Sequence, residues 1–130
     1  MIALDTNILV RYVTQDDSHQ LPSVMRLLNR RGETFFIGQL VMLELHWALQ
    51  HHYDWSRSEI AHSLAQLLTI QNASFEEEEV LNDAISAYNH GEDLADWLIH
   101  HRAVRHGCQS LASFDRDLQK TYPRFVFQPR

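Results

Sequence analysis

The sequence has few of the residues that mark disulfide scaffolds, linkers and membrane spans. Its 130 residues include one cysteine, three prolines and four glycines. A single cysteine excludes an internal disulfide and is compatible with the reducing cytoplasm, where we expect the protein. Proline and glycine are too sparse to form a linker, so we expect one domain over residues 1–130. No run of about 18 apolar residues is present, so no membrane span is predicted.

Lysine is also scarce, and acidic residues outnumber basic ones. The formal net charge is −6, and Lys120 is the only lysine among eleven basic residues. Proteins that coat nucleic acid non-specifically usually carry a basic excess, so this composition argues against that class. It does not argue against an enzyme that meets phosphate through bound metal ions, because a bound metal cancels the charge of its carboxylate ligands.

Short apolar runs alternate with segments of helical periodicity. Strands are predicted at 2–4, 34–37, 111–112 and 125–127, and helices at 7–13, 21–28, 39–53 and 92–106. Capping-box patterns at Ser56 and Ser74 predict two more helices, which end near residues 68 and 88, and Ser18 is a candidate cap for the helix at 21–28. This alternation predicts a three-layer α/β/α sandwich with a short, mostly parallel sheet. Ligands of such sheets bind outside the carboxyl ends of the strands.

Two aspartates directly follow predicted strands. Asp5 ends the first strand, and Asp115 follows the strand at 111–112, with Asp117 two residues further on. Each could instead cap a neighbouring helix or turn, and both interpretations stay open for each residue taken alone.

Glu44 interrupts a predicted apolar stripe of a helix. Steps of three and four residues from Leu40 reach Glu44 and then Trp47 and Ala48. A charge on such a stripe is costly unless it is paired or bound to a cation, and no basic residue lies one turn away. The pattern therefore favours a functional carboxylate over a glutamate at the edge of the face.

Asp93 and Asp96 share one face at the start of the helix predicted at 92–106. Acids in a first helical turn also complement the helix dipole, which is the alternative interpretation. Two like charges one turn apart repel each other, and a cation would relieve this repulsion. Asp96 leads into an apolar segment, which favours it as the inner residue. If the acids at positions 5, 44, 96 and 115 meet at one edge of the sheet, their oxygens suit Mg²⁺ or Mn²⁺.

These acids and their neighbours resemble the PIN-domain ribonucleases, and in particular the VapC-type toxins of prokaryotic toxin–antitoxin pairs. The motifs that carry the resemblance, in the family's order, are Leu4-Asp5-Thr6-Asn7, Val41-Met42-Leu43-Glu44, Asp93-Leu94-Ala95-Asp96-Trp97-Leu98-Ile99 and Ser113-Phe114-Asp115-Arg116-Asp117. Two positions depart from the pattern. Trp97 stands where members often have a small residue, and Ser113 stands where many have threonine.

The resemblance implies an endoribonuclease that cleaves RNA phosphodiesters with Mg²⁺ or Mn²⁺ and metal-activated water. The residues that it implies as catalytic and metal-binding are Asp5, Glu44, Asp96 and Asp115, and the auxiliary ones are Asp93, Asp117, Thr6, Asn7 and Ser113. It also implies inhibition by a cognate antitoxin protein and assembly as a homodimer. The alternative is a catalytically inactive PIN-like module that binds proteins, although the intact acid set speaks against it.

Other metal and phosphoryl-transfer sites fit less well. Adjacent histidines such as His51-His52 point about a quarter-turn or more apart on a helix, so such pairs do not predict a zinc site. A haloacid dehalogenase-type enzyme would need a second aspartate at Asn7. A response-regulator receiver would need a lysine after a late strand, and Lys120 lies in a predicted helix.

Overall fold

Five short strands and seven helices alternate along the chain in a computed structural model that describes all 130 residues. The chain divides into two units, Met1–Ser86 and Ala87–Arg130. The elements that begin in the first unit are β1 (Ile2–Ala3), α1 (Thr6–Thr14), α2 (Leu21–Leu28), β2 (Phe35–Ile37), α3 (Gln39–His51), α4 (Arg57–Leu67), β3 (Ala73–Phe75) and α5 (Glu78–Asn89). Those of the second are α6 (Leu94–Arg105), β4 (Leu111–Ala112), α7 (Arg116–Thr121) and β5 (Val126–Phe127). A single domain over the whole chain stays a prediction.

All strand pairs are parallel. In the first unit the order is β1-β2-β3, so β2 is central, and its Phe35 and Ile37 are each only 1% exposed. In the second unit β4 pairs with β5, with Leu111 opposite Val126. Parallel strands joined through helices confirm the predicted α/β class with a short parallel sheet.

Local signals predicted several helix ends correctly. Ser56 and Glu59 form the predicted capping box, with backbone-to-side-chain distances of 3.1 and 3.2 Å. Gly107 lies at φ +86 just after α6, a left-handed conformation that favours glycine and ends the helix as predicted. None of the seven helices has both the length and the apolar content that crossing a membrane requires.

Two predicted caps are wrong. Ser74 does not cap α5, because it lies in β3 and pairs with Phe36 of β2. The N-cap of α2 is Gln20 rather than Ser18, and Asp17 accepts the backbone N–H groups at this turn. Each error has the same origin, since a short polar side chain ahead of a helical pattern suits a cap, a turn or a strand edge equally well.

β3 is the strand that the sequence does not predict. Its three residues are followed by Glu76, whose Oε1 accepts the backbone N–H of Gln39 at 2.9 Å. Glu76 therefore caps α3, whose N-cap residue Gly38 has no side chain to do so. α5 begins only at Glu78, after Glu77 at φ +48. The extended conformation of β3 depends on its pairing with β2, which no local sequence pattern predicts.

Candidate active site

Three of the predicted site aspartates are helix N-caps: Asp5 for α1, Asp93 for α6 and Asp115 for α7. The bonds run from Thr6 N–H to Asp5 (2.8 Å), from Asp96 N–H to Asp93 (2.8 Å) and from Asp117 N–H to Asp115 (2.9 Å). Each bond is accepted by Oδ1, which leaves Oδ2 available to a cation. Capping and metal binding, which appear as alternatives in the sequence, are therefore compatible in one residue, and the cap orients the carboxylate.

The first unit holds an open cavity of about 580 Å³ between α1 and α3. Asp5, Thr6, Asn7 and Glu44 all line it. Within it the Thr6 hydroxyl donates a hydrogen bond to Glu44 Oε2 at 3.0 Å. Two of the predicted catalytic acids and two of the predicted auxiliary residues are thus brought together at the carboxyl end of β1.

Glu44 reaches this cavity from the exposed face of α3, and the expectation that it lies on a buried stripe without a partner is wrong. The residues of α3 that are buried are Gln39, Met42, Leu45, His46 and Leu49. Leu40 and Trp47, which the stripe includes, are 65% and 44% exposed. α3 carries apolar residues on more than one face, so periodicity alone does not identify the buried one. What supports Glu44 is its place in the cavity beside Asp5.

Arg11 is the basic residue of this cavity, and acidic and polar neighbours hold its side chain. Its Nε donates to Gln20 Oε1 at 2.6 Å, and its Nη1 donates to the Tyr53 hydroxyl at 3.2 Å. The guanidinium also lies 3.5 Å from Asp16 and 3.7 Å from Asp17. Two carboxylates therefore offset its positive charge within the first unit.

The second unit gathers four aspartates around the start of α6. Asp96 is half-buried there, whereas Asp93, Asp115 and Asp117 are exposed. Burial and then the negative charges of those three carboxylates raise the pKa of Asp96 to about 6. The four side chains are thus close enough to oppose ionisation of Asp96.

Ser113 holds the backbone that leads into Asp115 by hydrogen bonds. Its hydroxyl accepts the Asp115 backbone N–H at 3.0 Å, and its carbonyl accepts the Gln119 side-chain amide at 2.9 Å. Its own N–H donates to the Phe127 carbonyl at 3.0 Å. Ser113 therefore orders the segment between β4 and α7.

A hydrogen bond and a ring stack link α6 to the end of α7, and no sequence motif predicts this link. The Tyr122 hydroxyl donates to Glu92 Oε1 at 2.7 Å, just before the cap of α6, and the His100 ring stacks on Tyr122 with centroids 3.8 Å apart. Burial and this bond raise the pKa of Tyr122. The link joins the end of α7 to the start of α6. No local signal predicts a pair separated by 30 positions.

Tyr122→Phe is expected to lower the free energy of unfolding by about 1–2 kcal/mol, because it removes a hydroxyl bonded to a carboxylate while keeping the ring stack. Urea denaturation followed by circular dichroism measures this change. Tyr12→Phe, at a hydroxyl with no comparable carboxylate partner in the structure, is the matched control. Equal midpoints for the wild type and Tyr122→Phe would show that the link adds nothing to stability.

Each unit by itself offers oxygen donors that suit a hard divalent cation. In the first unit these are the carboxylates of Asp5 and Glu44 and the Thr6 hydroxyl. In the second they are the four aspartates, where burial and then carboxylate repulsion raise the pKa of Asp96, and a bound cation would relieve that repulsion. No three or more His, Cys, Asp or Glu side chains are grouped closely enough to hold a metal ion by themselves. That Asp5 and Glu44 share one site with Asp96 and Asp115 stays a prediction.

Comparison with known proteins covers nearly the whole chain. The family model described as the PIN domain matches residues 2–122. A curated relative, the VapC ribonuclease of Aquifex aeolicus (strain VF5), is 25% identical over 123 residues, which cover 92% of this chain and 91% of the relative. No solved structure matches the chain.

Proposed function

The chain belongs to the PIN-domain family, and we propose that it is a metal-dependent endoribonuclease, the toxin of a VapC-type toxin–antitoxin pair. The observation that carries the proposal is the position and hydrogen bonding of two predicted catalytic aspartates. Asp5 and Asp115 follow strands β1 and β4, and the backbone holds each by a single carboxylate oxygen. The similarity to a protein named a ribonuclease supports RNA as the substrate.

We assign direct metal binding to Asp5 and Asp96, with Glu44 and Asp115 completing the ligand set or orienting water. When bound, Mg²⁺ or Mn²⁺ supplies an acidified water for in-line attack and positive charge that stabilises the phosphodiester transition state. The Thr6 hydroxyl holds one oxygen of Glu44, so the other is free to orient that water.

The auxiliary residues position this set. Ser113 holds Asp115 through its backbone, Asp93 holds the first turn of α6 around Asp96, and Asp117 adds negative charge to the cluster. Asn7 lines the cavity of the first unit and offers an amide to the substrate.

The test is cleavage of single-stranded RNA with Mg²⁺ or Mn²⁺ and with EDTA. We expect cleavage only with metal, and products that carry 5′-phosphate and 3′-hydroxyl ends, because attack by water does not use the 2′-hydroxyl of RNA. End-group analysis by mass spectrometry distinguishes these products. Cleavage that persists in EDTA, or 2′,3′-cyclic phosphate as the main end, would contradict the mechanism.

A cognate antitoxin, a homodimer and a cytoplasmic location complete the proposal. Leu40 and Trp47 leave apolar surface on α3 that suits a protein partner, and the exposed Cys108 stays a thiol in a reducing compartment. Co-expression with the product of the adjacent gene, followed by size-exclusion chromatography, tests the partner and the dimer. A stable complex without any RNA cleavage by the free protein would favour the inactive binding module instead.

A further inference from the structure

Phe114 is the exposed aromatic ring nearest in sequence to the predicted metal ligands. It lies between Ser113 and Asp115 and is 72% exposed. A single exposed apolar side chain is ordinary on a protein surface. Its position is not ordinary, because the next residue is a carboxylate that the proposed function places at the scissile phosphate.

The backbone on both sides of Phe114 is held by hydrogen bonds. Ser113 donates its N–H to Phe127 and accepts the side-chain amide of Gln119, and Asp115 binds the Ser113 hydroxyl and caps α7. The ring therefore projects from an ordered segment. A ligand that binds against it does not first have to order that segment, which lowers the entropic cost of binding.

The basic residues are divided between the two units. Arg11 in the cavity of the first unit is offset by Asp16 and Asp17, whereas six of the eleven lysines and arginines lie in the second unit, among them Arg116, two positions after Phe114. Proteins that bind single-stranded nucleic acid combine basic grooves with aromatic rings on which bases stack. The second unit holds both kinds of residue, basic side chains that suit the RNA backbone and an exposed ring that suits a base.

We propose that Phe114 is a base-stacking platform, on which the base of a nucleotide adjoining the cleaved phosphodiester stacks while its phosphate lies at the carboxylates. This inference rests on the proposed ribonuclease function and assigns to Phe114 the contact with one unpaired base beside the cleavage site. Stacking uses the π-face that every base has, so Phe114 contributes affinity with little sequence preference.

Steady-state cleavage of a single-stranded RNA oligonucleotide with Mg²⁺ tests the platform. Phe114→Leu keeps an apolar side chain and removes the flat face, and we expect KM to rise about tenfold with kcat nearly unchanged. Phe114→Trp should keep the wild-type KM. Phe127→Leu, at a half-exposed ring of β5 that is not adjacent to a carboxylate, is the matched control and should also leave KM unchanged. Both leucine variants should melt with the wild type because the rings are exposed.

An abasic substrate identifies the base. A ribose without its base, placed in turn at each position around the cleavage site, should raise KM for the wild type about tenfold at one position. The same abasic RNA should not raise KM further for the Phe114→Leu variant, since the platform is already lost.

Three results would overturn the inference while leaving the ribonuclease proposal intact. These are an unchanged KM for Phe114→Leu, equal losses in the leucine and tryptophan variants, or an abasic effect that persists in Phe114→Leu. Equal losses in Phe114→Leu and Phe127→Leu would also overturn the inference, because the effect would then not be specific to the ring beside Asp115. If the wild type cleaves no RNA, the ribonuclease proposal fails separately, and fluorescence anisotropy with the same oligonucleotides and variants decides whether Phe114 binds a base.

Discussion

Asp96→Asn is expected to reduce metal-dependent RNA cleavage by about 100-fold or more, and at the same time to stabilise the metal-free protein at neutral pH. Activity falls because asparagine is a weaker ligand for a hard cation than a carboxylate. Stability rises because the substitution removes a charge that is crowded by three other carboxylates. The proposed cation would offset this crowding, which is uncompensated in the metal-free protein.

The gain in stability depends on pH in a defined direction. The pKa of Asp96 is raised from 3.8 to about 6 in the folded protein, so the folded state binds the proton more tightly than the unfolded chain does. Ionisation of Asp96 therefore opposes folding at pH values above about 6. This penalty disappears as the pH falls through about 6 toward 4. Asp96 is only half-buried, and screening by solvent keeps the penalty to about 1 kcal/mol or less.

Thermal unfolding in EDTA measures this effect. The difference in Tm, variant minus wild type, should be positive near about pH 7.5 and close to zero near about pH 4. Added Mg²⁺ should stabilise the wild type more than the variant. Asp83→Asn, at an exposed aspartate of α5 outside the predicted acid set, is the control and should change neither activity nor the pH profile. Full activity in Asp96→Asn, or a Tm difference that does not vary with pH, would refute the assignment.

The second large effect concerns Asp5 and Asp115, which lie in different units of the chain. Asp5→Asn and Asp115→Asn are each expected to reduce cleavage by about 100-fold or more, because each removes a charged ligand. Asparagine is also a good N-cap, since its side-chain oxygen accepts the same backbone N–H, so helices α1 and α7 should stay capped. The losses then report on the site rather than on the fold.

The double variant tests whether the two acids act on the same ion. When two residues bind the same ion, the losses of activity from removing each one do not add. The double variant Asp5→Asn/Asp115→Asn should therefore be about as inactive as the worse single variant. Losses that multiply would indicate two independent sites, one in each unit. The Mn²⁺ concentration needed for half-maximal cleavage gives a second measure, and it should rise in both single variants.

Interactions between residues close in sequence were predictable. The capping box of Ser56 and Glu59 and the left-handed Gly107 depend on neighbours within a few positions, so the amino-acid pattern reports them directly. The same holds for Asp5 and Asp115, because an acid that directly follows an apolar strand lies at its carboxyl end wherever that strand pairs. The ordered motifs also predicted the family that the comparison shows.

The outward face of α3 was not predictable in this way. Gln39 and His46 are buried there while Leu40 and Trp47 are exposed, contrary to their ordinary preferences. Helical periodicity relates these residues to one another but not to the rest of the molecule. Glu44 is therefore supported by the cavity it lines, and the burial argument for it does not hold.

The sequence by itself determined the α/β class, most helix boundaries and the positions of the acids along the chain, since each depends on local propensity and periodicity. Only the tertiary structure decided that β3 is a strand, that Glu76 caps α3 and that Tyr122 bonds to Glu92. Each of these pairs a residue with a partner at least 30 positions away. Such pairs depend on packing and on the need of buried polar groups for hydrogen-bond partners. Local sequence patterns predict neither.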